Sequence, residues 1–330
     1  METVLPRQVT PVRRPLIHVR RLALVALLLG SIALGYYEFR LRRPVGSGPV
    51  AIPVPRAEFQ EIWSDQKILL LGLGDSITDG FGASPGHSYF SRLVKNPSDE
   101  FPDMQQLNLQ RVLPHLEPRN DAISGTTSVE LLEFSLPRLE VQPPDVFGIV
   151  LLTTGGNDLI HNYGRTPPRE TAMYGATIQQ AQPWIENFEI RLAKILNEIE
   201  ARFPGGCGIL LANIYDPTDG VGDVELAGLP AWEDGLTILS GYNDIIQRTC
   251  QAREHVHLID LHATFLGHGI HCRQLWQPHY DAADPTYWYY DNLEDPNDRG
   301  YDAIRRLCLN AIIEHVKPRL ALPAGALHAE

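Results

Sequence analysis

The chain has 330 residues, 44% of them hydrophobic and 21% charged, enough for one large α/β domain or two small ones. Its net charge of −12 is unevenly spread: eight Arg against Glu2 and Glu38 give the first 43 residues +6, leaving −18 for the rest. An acidic body without a basic patch excludes nucleic acid as a partner, because phosphate binding needs a basic surface.

Residues 1–43 read as a basic segment and signal anchor. Arg13, Arg14, Arg20 and Arg21 precede an apolar run over 22–37, slightly short for a spanning helix and slightly long for the core of a signal peptide. The positive-inside bias puts the amino end in the cytoplasm and the body outside it, periplasmic or extracellular. Secretion after cleavage near Ala33-Leu34-Gly35 is the alternative. Arg40, Arg42 and Arg43 follow the run and oppose translocation without forbidding it. Residues 44–57 are rich in Pro and Gly and read as an extended tether. The domain is expected over 58–321, with a tail over 322–330.

Strand and helix patterns then alternate. Lys67–Leu73 is an apolar run that stops at Gly74-Asp75-Ser76, as a buried parallel strand would. A helix is expected near 88–95, and a strand somewhere before Asn120. The polar turn from Asn120 contains Gly125. A second buried-type strand over 145–152 ends in Gly155-Gly156-Asn157-Asp158. The longest helical pattern runs over 181–203, with Ile185, Phe188, Leu192, Ile195, Leu196 and Ile199 on one face. A strand over 207–214, a helix over 238–253 and a strand over 255–259 follow. After a long connection, a helix over 303–316 closes the domain, stopped by Pro318. Such alternation implies a parallel sheet with right-handed crossovers and helices on both faces.

Ser76 lies just past a strand's carboxyl end, where open α/β sheets bind ligands. It serves as a nucleophile if a base and an oxyanion hole converge on it. In order and spacing, Gly74-Asp75-Ser76, Gly125 and Gly155-Gly156-Asn157-Asp158 resemble blocks I, II and III of the SGNH (GDSL-type) hydrolase superfamily. The resemblance implies a flavodoxin-like three-layer α/β/α fold with a central parallel sheet. It also implies an oxyanion hole built from the backbone N–H of Ser76, the backbone N–H of Gly125 and the side-chain amide of Asn157. Preorganised donors of this kind supply a large share of acyl-transfer catalysis.

The fourth block departs from the family pattern. Where the family carries Asp-x-x-His-Pro-Asn, this chain has Asn292-Leu293-Glu294-Asp295-Pro296-Asn297. Asp295 thus stands at the histidine position and Asn292 at the aspartate position. An ordinary carboxylate, with a pKa of about 4, is a poor base for a Ser hydroxyl. Either another His supplies the base, or Asp295 has taken on a different role, or the hydrolase is inactive. The connection before the last helix holds His268, His271 and His279 among many aromatic residues. The expectation is that one of them, first His268 or His279, folds back to Ser76 and is held by Asp295. His87 and His161, which follow blocks I and III, are further candidates.

Asp216, Asp219 and Asp223 do not fit the spacing of a calcium loop and read as a polar turn. Cys207, Cys250, Cys272 and Cys308 are even in number, which in an exported domain leaves disulfides, in three possible connectivities, open beside buried free thiols; there is no Cys-x-x-Cys pair, and no zinc, other metal or cofactor is expected. Taken together, the sequence reads as a membrane-tethered serine esterase acting on a small-molecule, lipid or glycan ester. A non-catalytic relative that binds acylated glycans or lipids, and an acyltransferase on the same fold, are the alternatives.

Overall fold

A computed structural model of the protein describes residues 14–320, with side chains from residue 19. The expected tail over 322–330 lies outside the described residues, as do the first 13. The chain divides into two compact units, 1–43 and 44–330.

In the first unit, α1 (Arg14–Tyr36) runs into a π-helical turn at Tyr37–Leu41. Its Leu22, Leu24, Leu27 and Leu28 are exposed. Val19–Leu41, with a mean hydropathy of 1.8, is long and apolar enough to cross a membrane. A signal sequence meets the same criterion.

The second unit is built on strands β1 (Lys67–Leu73), β2 (Leu116–Asn120), β3 (Val146–Leu152), β4 (Cys207–Ala212) and β5 (Val256–Ile259). All pair in parallel, in the order β2-β1-β3-β4-β5. This is the expected flavodoxin-like sheet. Short helices α2 (Ser76–Asp79), α3 (Tyr89–Val94), α4 (Leu109–Val112), α5 (Ser128–Glu130) and α6 (Gly156–Ile160) punctuate the first half. The second half carries α7 (Ile178–Ala201), α8 (Gly235–Ala252), α9 (Leu261–Phe265), α10 (Asp298–Ala311) and α11 (Lys317–Leu320).

Strand alternation divides the core into two layers. Leu69, Leu71, Leu73, Val150, Leu152, Ile209 and Leu211 face α7 and α8 in one cluster. Ile68, Leu70, Phe147, Ile149, Leu151 and Leu210 face α3, α10 and the carboxyl-terminal turns in the other. The edge strand β2 is half-exposed and carries Pro118, a residue that a central strand would not accept.

Three boundaries differ from the sequence reading. Helix α7 begins at Ile178 because Thr177 and Gln180 form a capping box ahead of the apolar stripe. Helix α10 begins at Asp298 because the Asn297 side chain accepts from the Arg299 and Gly300 N–H groups. Pro318 does not stop the helix there, since the chain runs on from α10 through a π-helical turn at Ile312–Val316 into α11, which contains Pro318. The Pro/Gly-rich stretch expected as a tether is extended but packed. Val50 is 2% exposed and donates its N–H to Asp302. Arg306 and Asn310 of α10 donate to the carbonyls of Ile52 and Pro53. None of the four cysteines forms a disulfide among the described residues.

Candidate active site

The order β2-β1-β3 makes the carboxyl ends of β1 and β3 the switch point of the sheet, where the chain leaves β1 to one side and β3 to the other. Gly74 ends β1 with φ +118, and a Cβ there would lie 1.9 Å from the Thr153 carbonyl oxygen. Only glycine lets the two strand ends approach so closely. Asp75 is buried and caps α2, accepting from the Ile77 N–H at 3.2 Å and the Thr153 hydroxyl at 2.7 Å. Burial pushes its pKa up to about 6 against those bonds. Ser76 is the first residue of α2, so its N–H has no partner within the helix.

Backbone bonds from Asp121 to Gly72 and from Ile123 to Gly74 lay the following turn over the end of β1. In that turn Gly125 has φ +83, with no atom within 4 Å of the position a Cβ would take. Among the described residues its N–H has no backbone acceptor. After β3, Asn157 in α6 donates from Nδ2 to the Thr126 carbonyl at 3.1 Å. That bond uses one of the two amide N–H groups and leaves the other free to donate. The next residue, Asp158, is fully buried and accepts from the N–H and hydroxyl of Ser128, from Arg191 and from Tyr242. It ties α6 to α5, α7 and α8 and so fixes Asn157 from behind.

The loop before α10 brings Asp295 to the same place. Its carboxylate is 2% exposed. Oδ2 accepts from Asn292 Nδ2 at 2.6 Å, whereas Oδ1 is buried with no partner of good hydrogen-bond geometry. The Ser76 hydroxyl faces the group, and its hydrogen bonding offsets part of the upward push that burial gives the Asp295 pKa. The backbone is held by Tyr290 N–H donating to the Asp295 carbonyl at 2.7 Å. Asn297 Nδ2 donates to the carbonyls of Tyr287 and Tyr289.

Ser76 and Asn157 open into a cleft of about 140 Å³. Its walls are mainly apolar. Tyr174 and Trp232 pack with ring centroids 4.8 Å apart, Tyr163 packs on Tyr174, and Leu236 and Leu239 line it further in. Glu294 also lines the cleft, and burial, with repulsion from Asp295, pushes its carboxyl up to about 7.

The profile of the GDSL-like lipase/acylhydrolase family matches residues 73–303, well over half of the chain. The chain belongs to this family. Among curated proteins none matches. Similar solved structures include the lipase Lip_vut3 from a goat rumen metagenome, 18% identical with a TM-score of 0.49 over 74% of this chain and 97% of that one. The extracellular lipase of Streptomyces rimosus is 19% identical, with a TM-score of 0.48 over 74% and 99%. Axe2, an acetylxylan esterase of Geobacillus stearothermophilus, is 18% identical, with a TM-score of 0.45 over 76% and 94%. At these values the likeness says nothing of this chain's substrate.

Blocks I and III reach the cleft through Ser76 and Asn157, and the three histidines lie elsewhere. His268 stacks on Trp288 with centroids 3.5 Å apart, and its Nδ1 meets the Thr286 carbonyl at 3.2 Å. His271 Nε2 meets Asp223 at 2.6 Å, and its N–H donates to Asp219. The His279 ring lies against Gly220. None of the three lines the cleft at Ser76. The aromatic connection folds instead over the Asp216–Asp219 turn, where Asp219 accepts from the N–H groups of Gly267, Gly269 and His271. His87 pairs with Asp99, and His161 ends α6. Sequence reasoning missed Glu294, although its place beside Asp295 marked it. It also missed the aromatic wall, whose residues come from two loops with no shared pattern.

Proposed function

We propose that this protein is a serine ester hydrolase for esters with an apolar acyl part, held at a membrane by α1 with its catalytic domain outside the cytoplasm. Membership of a hydrolase family supports the reaction class. The observation that carries the rest is the cleft: a Ser and an Asn from separate strand ends share one wall, and aromatic and aliphatic side chains form the others. Ser76 Oγ attacks the acyl carbonyl. The N–H groups of Ser76 and Gly125 and the free amide N–H of Asn157 receive the oxyanion. The acyl chain lies along Tyr174, Trp232 and Leu239, which hydrocarbon wets better than water does. Secretion after cleavage is the other outcome for α1.

The test is hydrolysis of p-nitrophenyl acetate, butyrate, octanoate and laurate by the full chain in detergent. Activity should rise from acetate to the longer chains and fall to background in Ser76→Ala. Preference for acetate would refute the apolar acyl site. No turnover in the wild type, together with binding of the same esters, would favour the non-catalytic reading. Ester formation on an added sugar would favour acyl transfer.

A further inference from the structure

We propose that Asp295 is itself the base for Ser76, so that the site works as a serine–carboxylate pair without an imidazole; this rests on Ser76 being the nucleophile. Three observations carry the assignment. Asp295 sits at the position of the family's histidine, in an intact Pro-Asn-x-x-Gly frame, with its backbone pinned on both sides. Its Oδ1 is buried with no partner of good hydrogen-bond geometry, and the Ser76 hydroxyl faces the carboxylate, which is where a proton acceptor has to stand. The third is a paired exchange. In the family frame a histidine donates to an aspartate three residues before it. Here Asn292 at the aspartate position donates to Asp295 at 2.6 Å. The hydrogen bond is kept with its polarity reversed. An aspartate at 292 would set two carboxylates against each other, so the two departures from the pattern make one working unit.

The surroundings suit a carboxylate base. Burial disfavours its charged form and so raises its basicity. The ionisable groups that couple to it are acidic on every side: Asp75 from the β1–α2 turn, Asp79 at the end of α2, Glu294 beside it, Tyr215 after β4 and Tyr301 on α10. No cation among them stabilises the charge. In acylation, Oδ1 takes the Ser76 proton as Oγ bonds to the carbonyl carbon, and the carbonyl electron pair moves to oxygen. Collapse breaks the bond to the alcohol oxygen, which takes that proton and leaves. Water then attacks the acyl–Ser76 ester and gives its proton to Oδ1. Collapse returns the proton to Ser76 Oγ and releases the acid.

The experiment measures Ser76 labelling by a fluorophosphonate and ester turnover across pH. It uses the wild type, Asp295→Asn and the double variant Asn292→Asp/Asp295→His, all checked for folding by circular dichroism. The Asn variant keeps the shape, since its carbonyl still accepts from Asn292. Its labelling and kcat should fall by about 10²–10⁴, the usual worth of a positioned base. The double variant restores the family frame and should recover turnover, its acid limb displaced upward to about 6.5. Wild-type rates in Asp295→Asn, or an acid limb unmoved in the double variant, would overturn the assignment and leave the hydrolase reading standing. A wild type that neither labels nor turns over would end both.

Discussion

Replacing Glu294 with Gln should stabilise the protein at pH 8 and leave it almost unchanged near pH 4. The folded chain holds this carboxyl at about 7, against an ordinary 4.5, because burial and the neighbouring Asp295 disfavour its charge. Below pH 4.5 the group is protonated in both folded and unfolded chains, so it contributes no penalty. Between 4.5 and 7 the unfolded chain ionises and the folded one does not, so stability falls as pH rises. Above 7 the penalty is full. At 1.36 kcal/mol for each pH unit between the two values, the ceiling is about 3.4 kcal/mol. Glu294 is only half-buried, and solvent screening brings this to roughly 1.5 kcal/mol. In a domain of this size that corresponds to a Tm gain of about 3–6 °C at pH 8. Thermal melts of wild type and variant from pH 4 to 8 measure it. A gain that is absent at pH 8, or equally large at pH 4, would refute the argument. The same charge lies in the cleft that holds Ser76, where it would oppose the oxyanion of the proposed reaction. Wild-type turnover should therefore decline above pH about 7, and that decline should be missing in Glu294→Gln.

Asn157→Ala should cut ester turnover by about 10²–10³, the cost of one oxyanion donor, and wild-type turnover would remove Asn157 from the mechanism. Asp158→Ala should cost about 3 kcal/mol in urea unfolding, because it strips a buried network of its shared acceptor and leaves Arg191 partly unpaired. A chain beginning at Pro44 should fold as stably as the full domain, whereas one beginning at Arg56 should melt lower, having lost Val50 and the bond to Asp302. Equal melting of the two would show that the packed stretch contributes nothing. The full chain should sediment with membranes and resist extraction by salt, and recovery in the soluble fraction with the amino terminus intact would refute the anchor.

Most of the fold was legible because the signals were local. Apolar runs, the first stopping at Gly74 and the second at Thr153, gave β1 and β3 within a residue, since a strand buried on both faces leaves no polar position to blur its length. β2 was hidden because an edge strand is half-exposed, and Leu116-Glu117-Pro118-Arg119-Asn120 has no apolar pattern. The stretch over 44–57 was read as an extended tether; it is extended as far as Pro55 and enters a 3₁₀ turn at Arg56–Phe59. Composition does not say whether an extended segment finds a docking face, and this one finds the α10 helix.

The site divides in the same way. Ser76, Gly125 and Asn157 were marked by their likeness, in order and spacing, to the family's blocks, and Ser76 and Asn157 stand on one cleft. The base was sought among histidines because an isolated carboxylate is too weak a base. That reasoning fixes the residue type from a pKa in water, whereas the position fixes it from the fold. The frame Pro296-Asn297-x-x-Gly300 positions whatever stands at 295, because Asn297 is bound to the carbonyls of Tyr287 and Tyr289 and Gly300 lets α10 approach the Trp288 carbonyl. An imidazole arriving from the aromatic connection would have to leave its own anchors, as His268 is stacked on Trp288 and His271 is bound to Asp223. Changing the environment of one carboxyl by burial, which raises its basicity against the opposing pull of the Asn292 donor, needs no such movement. The two departures at 292 and 295 are therefore better read together, as one exchange of donor and acceptor, than as the loss of two catalytic residues.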